Sequence, residues 1–269
     1  MPITTLPGGS SIWFKKTGNG PPLLHIHGSA FGHRNFEKLT PLAARTFEVI
    51  DFDLPGYGES RAGRGSREMR DIAEEVFEFI QALGYPKLNV HGTSFGAMIG
   101  LTLAAHHPQV IDKLVLSCFL CRYDNAAREM RATWKRAARD SGMAAVADLT
   151  SVAGFARSFF DRPEAQAQLA SMREAFSRTQ PEAFVAGTEA IERTDLGSLV
   201  ARVAAPTLLL AGAEDNMTPC RPSASGIGFA DIEKQFTDGS MVVLPACGHY
   251  LVIEQPEQVC RLIEDFMAH

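Results

Sequence analysis

The chain has 269 residues, of which 45% are hydrophobic and 21% charged, which suits one large α/β domain with a sizeable core. Its formal net charge of -5 argues against a nucleic-acid partner or an anionic membrane surface. No apolar run approaches the roughly 18 residues of a membrane span. The N-terminal residues contain no basic segment followed by an apolar one, so we expect no signal peptide.

The cysteines predict a reducing environment. They number five, an odd count, and their spacing is irregular, so we expect free thiols in the cytoplasm. Cys118 and Cys121 form a C-x-x-C pair. We interpret this pair as a strand end followed by a loop, because no second pair completes a zinc site.

The first part of the chain alternates between strand and helix patterns. Strands are predicted at residues 11–16, 23–27, 47–53, 87–90 and 113–117. Helices are predicted at residues 36–45, 66–83 and 97–105, with Ser66 as the N-cap of the second. The alternation indicates right-handed βαβ units, hence a mostly parallel sheet with helices on both faces.

The pattern changes after Cys118. Helices without a convincing strand are predicted at residues 125–139, 143–160, 164–177 and 181–193. The sheet pattern then resumes with strands at 206–212 and 241–244 and helices at 223–236 and 256–267. We therefore predict a core domain in two parts, 1–118 and 201–269, with a helical cap at 119–200 between them.

A strand, a sharp turn and a helix meet at residues 92–96, Gly-Thr-Ser-Phe-Gly, a match to G-x-S-x-G. The two glycines let the strand and helix backbones approach closely, and the turn pushes the Ser94 hydroxyl out of the sheet. The first amides of the helix then point at whatever Ser94 attacks. A helix N-cap serine is the alternative interpretation.

Ser94, Asp215 and His249 follow three different strands in the order serine, acid, histidine. A serine hydroxyl is a poor nucleophile at neutral pH and needs a general base, and histidine titrates near neutrality. A carboxylate holds the imidazole in the right tautomer and stabilises the imidazolium. The joint pattern predicts a catalytic triad; Glu214 is an alternative to Asp215.

With these motifs in place, the chain resembles the α/β-hydrolases from residue 22 to the C-terminus. Residues 27–32 (HGSAFG) resemble the oxyanion loop of that family, and residues 53–60 (DLPGYGES) its D-x-P-G-x-G-x-S loop. The resemblance implies an α/β-hydrolase fold with a helical cap insertion. It also implies an oxyanion hole formed by the backbone N–H groups of Ser29 and Phe95, with Ala30 as the alternative second donor.

Two groups within that family are similar. Residues 173–196 and 249–257 look like 3-oxoadipate enol-lactonases and related esterases. The H-G-S loop and the Cys-Gly-His-aromatic segment look like meta-cleavage-product C–C hydrolases, although Tyr250 stands where that group usually has tryptophan. The aspartate-elbow dehalogenases and epoxide hydrolases are excluded by Ser94.

These patterns predict hydrolysis of a small ester, lactone or amide through an acyl-enzyme, with no metal or organic cofactor. A substrate carboxylate is expected to meet His33, Arg34 or Arg122, with Tyr250 also at the substrate. The alternatives are a C–C hydrolase, a cofactor-independent dioxygenase that does not need Ser94, and a non-catalytic small-molecule receptor. A small-molecule substrate is the expected partner, and the sequence leaves the choice between a monomer and a homodimer open.

Overall fold

The structure is a computed structural model and describes residues 2–63 and 68–269. Within those residues one sheet contains eight strands, numbered in chain order as β1 (Ile3–Thr5), β2 (Ser11–Thr17), β3 (Pro22–Ile26), β4 (Glu48–Phe52), β5 (Leu88–Thr93), β6 (Ile111–Ser117), β7 (Thr207–Gly212) and β8 (Gly239–Leu244). Their order across the sheet is β1-β2-β4-β3-β5-β6-β7-β8. Strands β1 and β2 are antiparallel to their neighbours, and β3 to β8 run parallel. The predicted architecture, a mostly parallel sheet with helices on both faces, is confirmed.

The central strands are buried because helices cover both faces of the sheet. Leu23 and Leu24 are adjacent on β3, yet they pack into different core clusters on opposite faces. In the parallel register, Gly92 on β5 lies beside Leu116 on β6, and Gly212 on β7 lies beside Leu244 on β8. The loops that follow these strands therefore leave the same edge of the sheet.

The α-helices, also in chain order, are α1 (Thr40–Ala43), α2 (Met69–Leu83), α3 (Phe95–His106), α4 (Asn125–Ser141), α5 (Met143–Gly154), α6 (Ala165–Ser177), α7 (Pro181–Arg193), α8 (Phe229–Ile232), α9 (Leu251–Glu254) and α10 (Pro256–Ala268). Helix α3 is buried along nearly its whole length, whereas α2 buries one stripe that includes Ile72, Val76 and Phe79. Helices α4 to α7 fall within the predicted cap, 119–200. None of the helices in the described ranges is long and apolar enough to cross a membrane.

Four predicted helices differ from the structure. The helix expected at 143–160 ends at Gly154 and is followed by a 3₁₀ turn at Arg157–Asp161. The helix expected at 36–45 is only α1, preceded by a 3₁₀ turn at Gly32–Phe36, because Pro41 in the first turn sets a new helix start. The helix expected at 223–236 shrinks to α8 and a 3₁₀ turn, Glu233–Gln235, because Ile227 pairs its backbone with Cys121 and Arg122. The helix expected from Ser66 begins at Met69, and the predicted N-cap itself lies outside the described residues.

Candidate active site

Ser94 lies in the turn between β5 and α3, in a strained backbone conformation. Its φ is 55° and its ψ is -115°, a region that non-glycine residues seldom occupy. The turn can close tightly because both of its glycines lack a Cβ. A Cβ on Gly92 would overlap the Gly96 carbonyl, and a Cβ on Gly96 would overlap the carbonyl of Ile26. The Ser94 N–H is held by the Ser117 carbonyl at 2.8 Å. The sequence therefore places this hydroxyl at the N-terminus of α3.

His249 and Asp215 lie on the loops after β8 and β7, and their side chains meet. His249 Nδ1 is 2.9 Å from Asp215 Oδ2, and both residues are buried. The two loops can approach each other because Gly212 has no side chain. A Cβ at that position would overlap the Gly248 carbonyl. Ser94 and His249 line one cavity. The structure thus brings together the three residues predicted as a triad.

Asp215 is held as a carboxylate by several donors. Its Oδ1 accepts from the N–H groups of Met217 at 2.8 Å and Thr218 at 2.9 Å, and its Oδ2 accepts from the Thr218 hydroxyl at 2.6 Å. Burial by itself would raise the pKa of Asp215. The charge and hydrogen bond of His249, together with the bonds from Thr218, outweigh burial and hold that pKa below its usual value.

Cys118 Sγ completes a cluster with Asp215 and His249, whose ligand atoms all lie within 4.8 Å of one another. The cluster fits a metal poorly. Burial and the charge of Asp215 raise the pKa of the Cys118 thiol well above its ordinary value, so the thiol stays protonated. His249 Nδ1 and both carboxylate oxygens are already hydrogen-bonded.

The predicted oxyanion loop packs against the Ser94 turn, since a Cβ on Gly28 would lie 3.3 Å from the Cβ of Ser94. Ser29 lines the cavity, and Phe95 is the first residue of α3, so its N–H has no acceptor within the helix. The loop is fixed by the Gly28 N–H, which donates to Asn35 Oδ1 at 2.8 Å. His27 adds a second brace: its Nε2 accepts from the Leu54 N–H at 2.9 Å, and its Nδ1 donates to the Gly28 carbonyl at 2.7 Å.

The bulkiest side chains that line this cavity are aromatic. From the core come Phe31, Met217 and Tyr250; from α4 to α7 come Arg131, Trp134, Thr150, Phe176 and Phe184. Tyr250, predicted at the substrate, therefore lines the cavity. Its hydroxyl donates to the Thr150 carbonyl at 3.3 Å, and burial raises its pKa, so it stays a neutral donor.

Arg131 is the wall residue with the most unusual surroundings. It is only 3% exposed, its Nη2 donates to the Tyr123 hydroxyl at 2.6 Å, and its Nε is buried without a hydrogen-bond partner. Its guanidinium carbon lies 4.3 Å from the ring centre of Tyr123 and 5.5 Å from that of Trp134. Sequence reasoning missed this residue, although a periodic signal was present, since it shares the buried stripe of α4 with Ala127, Trp134 and Ala138.

Three residues predicted at the substrate are not brought to this cavity. His33 is bound to Asp53, with Nδ1 2.9 Å from Oδ1, and its ring packs on Trp13. Arg34 pairs with Glu174 at 3.0 Å. Arg122 is half-buried, pairs with Asp195 at 3.1 Å and donates to the Ser225 carbonyl. Each side chain is engaged by a nearby acid, which its position in the sequence could not reveal.

The histidine loop is joined to the end of α5. The His249 N–H donates to the Gly154 carbonyl at 2.5 Å. The Glu254 carboxylate accepts from the Gly248 N–H at 2.9 Å and from the Ala156 N–H at 3.1 Å, so it bridges the two segments. Burial raises the pKa of Glu254, although both amides and Arg162 favour its charged form.

Comparison with known proteins identifies the class. A family model described as the alpha/beta hydrolase fold matches residues 21–256, and the chain belongs to that family. A pimeloyl-acyl-carrier protein methyl ester esterase from Nitrosomonas europaea is 28% identical over 93% of this chain and 96% of its own length. A 2-hydroxymuconate semialdehyde hydrolase from Pseudomonas sp. (strain CF600) is 27% identical over 94% of this chain and 88% of its own length.

The fold is also shared with solved structures. The enol-lactonase from Burkholderia xenovorans LB400 superposes with a TM-score of 0.89 at 22% identity, and the match covers 100% of both chains. The chain is thus an α/β-hydrolase, and its relatives include both esterases and C–C hydrolases.

Proposed function

We propose that this protein is a serine hydrolase that cleaves a small carboxylic ester or lactone through an acyl-enzyme, an amide being the harder substrate of the same chemistry. One observation carries the proposal. The strained Ser94 hydroxyl and His249 line a single cavity, and His249 Nδ1 is 2.9 Å from a buried carboxylate that four hydrogen bonds hold ionised.

In the first step His249 Nε2 removes the proton of the Ser94 hydroxyl while Ser94 Oγ attacks the substrate carbonyl. Asp215 keeps the imidazole proton on Nδ1 and stabilises the imidazolium that forms, because its carboxylate stays charged. The imidazolium then donates its Nε2 proton to the departing alkoxide, which leaves as the alcohol.

The oxyanion of each tetrahedral intermediate would be bound by the N–H groups of Phe95 and Ser29. The Phe95 amide belongs to the N-terminus of α3, where the partial positive charge of the helix adds to the hydrogen bond. One such donor is worth about 3 kcal/mol of barrier. A water activated by His249 then attacks the acyl-enzyme and releases the carboxylic acid and free Ser94.

Turnover of p-nitrophenyl acetate and a short lactone panel tests this proposal. Ser94→Ala should lower kcat by at least about 1,000-fold, while Ser240→Ala, an exposed serine on β8, serves as the matched control. Intact-protein mass spectrometry after a fluorophosphonate should show one adduct, on Ser94. Equal activity of Ser94→Ala and wild type would contradict the assignment of Ser94 as the nucleophile and would favour the dioxygenase or receptor function.

A second candidate is hydrolysis of a carbon–carbon bond in a vinylogous diketone acid. It is supported by the relative named 2-hydroxymuconate semialdehyde hydrolase, which is 27% identical over 94% of this chain. The two candidates separate when a ring-cleavage chromophore and p-nitrophenyl acetate are compared as substrates. A kcat/KM for the chromophore far above that for simple esters would favour C–C cleavage.

A further inference from the structure

Arg131 carries a buried charge in the catalytic cavity that the described part of the protein does not neutralise. It lies on α4, is 3% exposed, and lines the same cavity as Ser94 and His249. Its Nε is buried without a hydrogen-bond partner, and the one side-chain oxygen it reaches is the neutral Tyr123 hydroxyl, at 2.6 Å. Burying a cation without a counter-ion costs free energy, so a bound anion would stabilise the Arg131 side chain.

Several cations on α4 and α7 are paired with acids. Lys135 pairs with Glu192 at 2.6 Å, Arg139 with Glu189 at 3.5 Å, and Arg193 of α7 with Glu68 at 3.1 Å. The Arg139 and Arg193 pairs are exposed, whereas the Lys135–Glu192 pair is partly buried. Among the described residues, no ion pair includes Arg131, which points inward instead.

The acid nearest to the chemistry is not available to Arg131. Asp215 gives both oxygens to Met217, Thr218 and His249. Among the described residues no carboxylate is hydrogen-bonded or ion-paired to Arg131, so a ligand carboxylate would be the first to pair with it.

The surroundings of Arg131 suit a planar anion. Its guanidinium carbon lies 4.3 Å from the Tyr123 ring centre and 5.5 Å from that of Trp134, which fixes the side chain before a ligand arrives. A guanidinium packed on rings keeps its N–H donors at its edge, and a carboxylate can accept two of them in parallel. The rest of the wall is mainly apolar, so it fits the carbon chain between two polar ends.

We infer that Arg131 binds a carboxylate of the substrate, so that the protein acts on esters or lactones that carry a second, free carboxylate. The anion-binding part stands on the cavity alone; the substrate class also rests on the proposed function. This role replaces the one expected for Arg34 and Arg122, whose charges are paired with Glu174 and Asp195.

Two esters of equal acyl length test the inference: mono-p-nitrophenyl glutarate, which ends in a carboxylate, and p-nitrophenyl valerate, which ends in a methyl group. We expect wild type to favour the glutarate ester in kcat/KM. Arg131→Gln should reduce the ratio between the two esters by about 10- to 100-fold, since it removes a charged hydrogen bond. Arg136→Gln, an exposed arginine on the same helix, is the matched control and should keep the wild-type ratio.

Arg131→Lys should give an intermediate ratio, because it keeps the charge but loses the parallel pair of donors. A wild-type ratio near one, or the same ratio in wild type and Arg131→Gln, would overturn the inference. Thermal unfolding of each variant separates a changed ratio from a changed fold.

Calorimetry with glutarate and with inorganic phosphate on the Ser94→Ala protein separates this inference from the proposed function. Glutarate binding that weakens about 10-fold or more on adding Arg131→Gln would support the anion site even if neither ester were hydrolysed. Phosphate binding tighter than glutarate, or glutarate binding indifferent to Arg131, would contradict a carboxylate site even in an active esterase.

Discussion

The Thr218 hydroxyl lies 2.6 Å from Asp215 Oδ2, the same oxygen that contacts His249 Nδ1. Thr218 Oγ1 is also 3.0 Å from His249 Nδ1, so one hydroxyl touches both members of the pair. Its backbone N–H adds a bond to Oδ1 of Asp215. Thr218 is therefore a positioning residue for the carboxylate.

We expect Thr218→Val to reduce kcat/KM for p-nitrophenyl acetate by about 10-fold, because hydrogen bonds to charged groups are worth roughly 1.5–3 kcal/mol. Losing that donor raises the pKa of Asp215, and the acidic limb of the rate profile should move. Thr218→Ser keeps the hydroxyl and should restore both the rate and the profile. If Val and Ser behave alike, the hydroxyl has no positioning role.

His27 predicts a pH dependence of stability. Burial lowers its folded-state pKa to about 4, against the effects of Asp53 and Gly28, while an unfolded histidine titrates near 6.5. The unfolded state therefore binds more protons between these values, and stability is complete above about pH 6.5 and falls as the pH drops toward about 4. The size of the effect is about 3 kcal/mol.

Urea unfolding of wild type and His27→Gln between pH 4 and 7 measures this effect. The difference in the free energy of unfolding should shrink as the pH falls, because only the wild type must protonate a buried imidazole. Parallel curves for the two proteins would show that His27 does not carry the dependence.

Gly96→Ala should destabilise the protein by about 3 kcal/mol or more. A Cβ at this position would overlap the Ile26 carbonyl, which is backbone and cannot turn aside. Gly100→Ala, on the same helix, is the control: its Cβ would lie 3.3 Å from Leu116 Cδ2, a side-chain methyl that can shift. Thermal unfolding should separate the two variants, and equal melting temperatures would mean that strand and helix are not held this close.

Tyr250→Phe distinguishes a wall residue from a hydrogen-bonding one. The hydroxyl already donates to the Thr150 carbonyl at 3.3 Å, so we expect KM to change by less than about 3-fold and the free energy of unfolding to fall by about 1 kcal/mol. A large rise in KM with unchanged stability would instead show that the hydroxyl binds substrate. Steady-state kinetics and urea unfolding on the same preparations give both numbers.

The parallel core was predictable because a strand covered on both faces tends to be a continuous apolar run, as in β7. The short strand β1 was not predicted, because its three residues, Ile3–Thr5, are largely exposed at the sheet edge. The G-x-S-x-G turn could be predicted because its geometry depends on residues that are neighbours in the sequence.

The remaining contacts of the site depend on partners far apart in the chain. Periodicity places Arg131 on the inner stripe of α4, but it cannot say that the facing surface is the cavity of Ser94. Likewise Arg122 looks free in sequence until Asp195, 73 residues later, is found beside it. Thr218 resembles an ordinary turn residue until His249 is placed next to it.

The bond from the His249 N–H to the Gly154 carbonyl restricts how substrate enters. Any outward swing of the end of α5 would withdraw that acceptor, and would also strain Glu254, which holds Gly248 and Ala156 together. The end of α5 and the histidine loop are therefore joined, so that a substrate entering by displacing α5 would displace His249 with it.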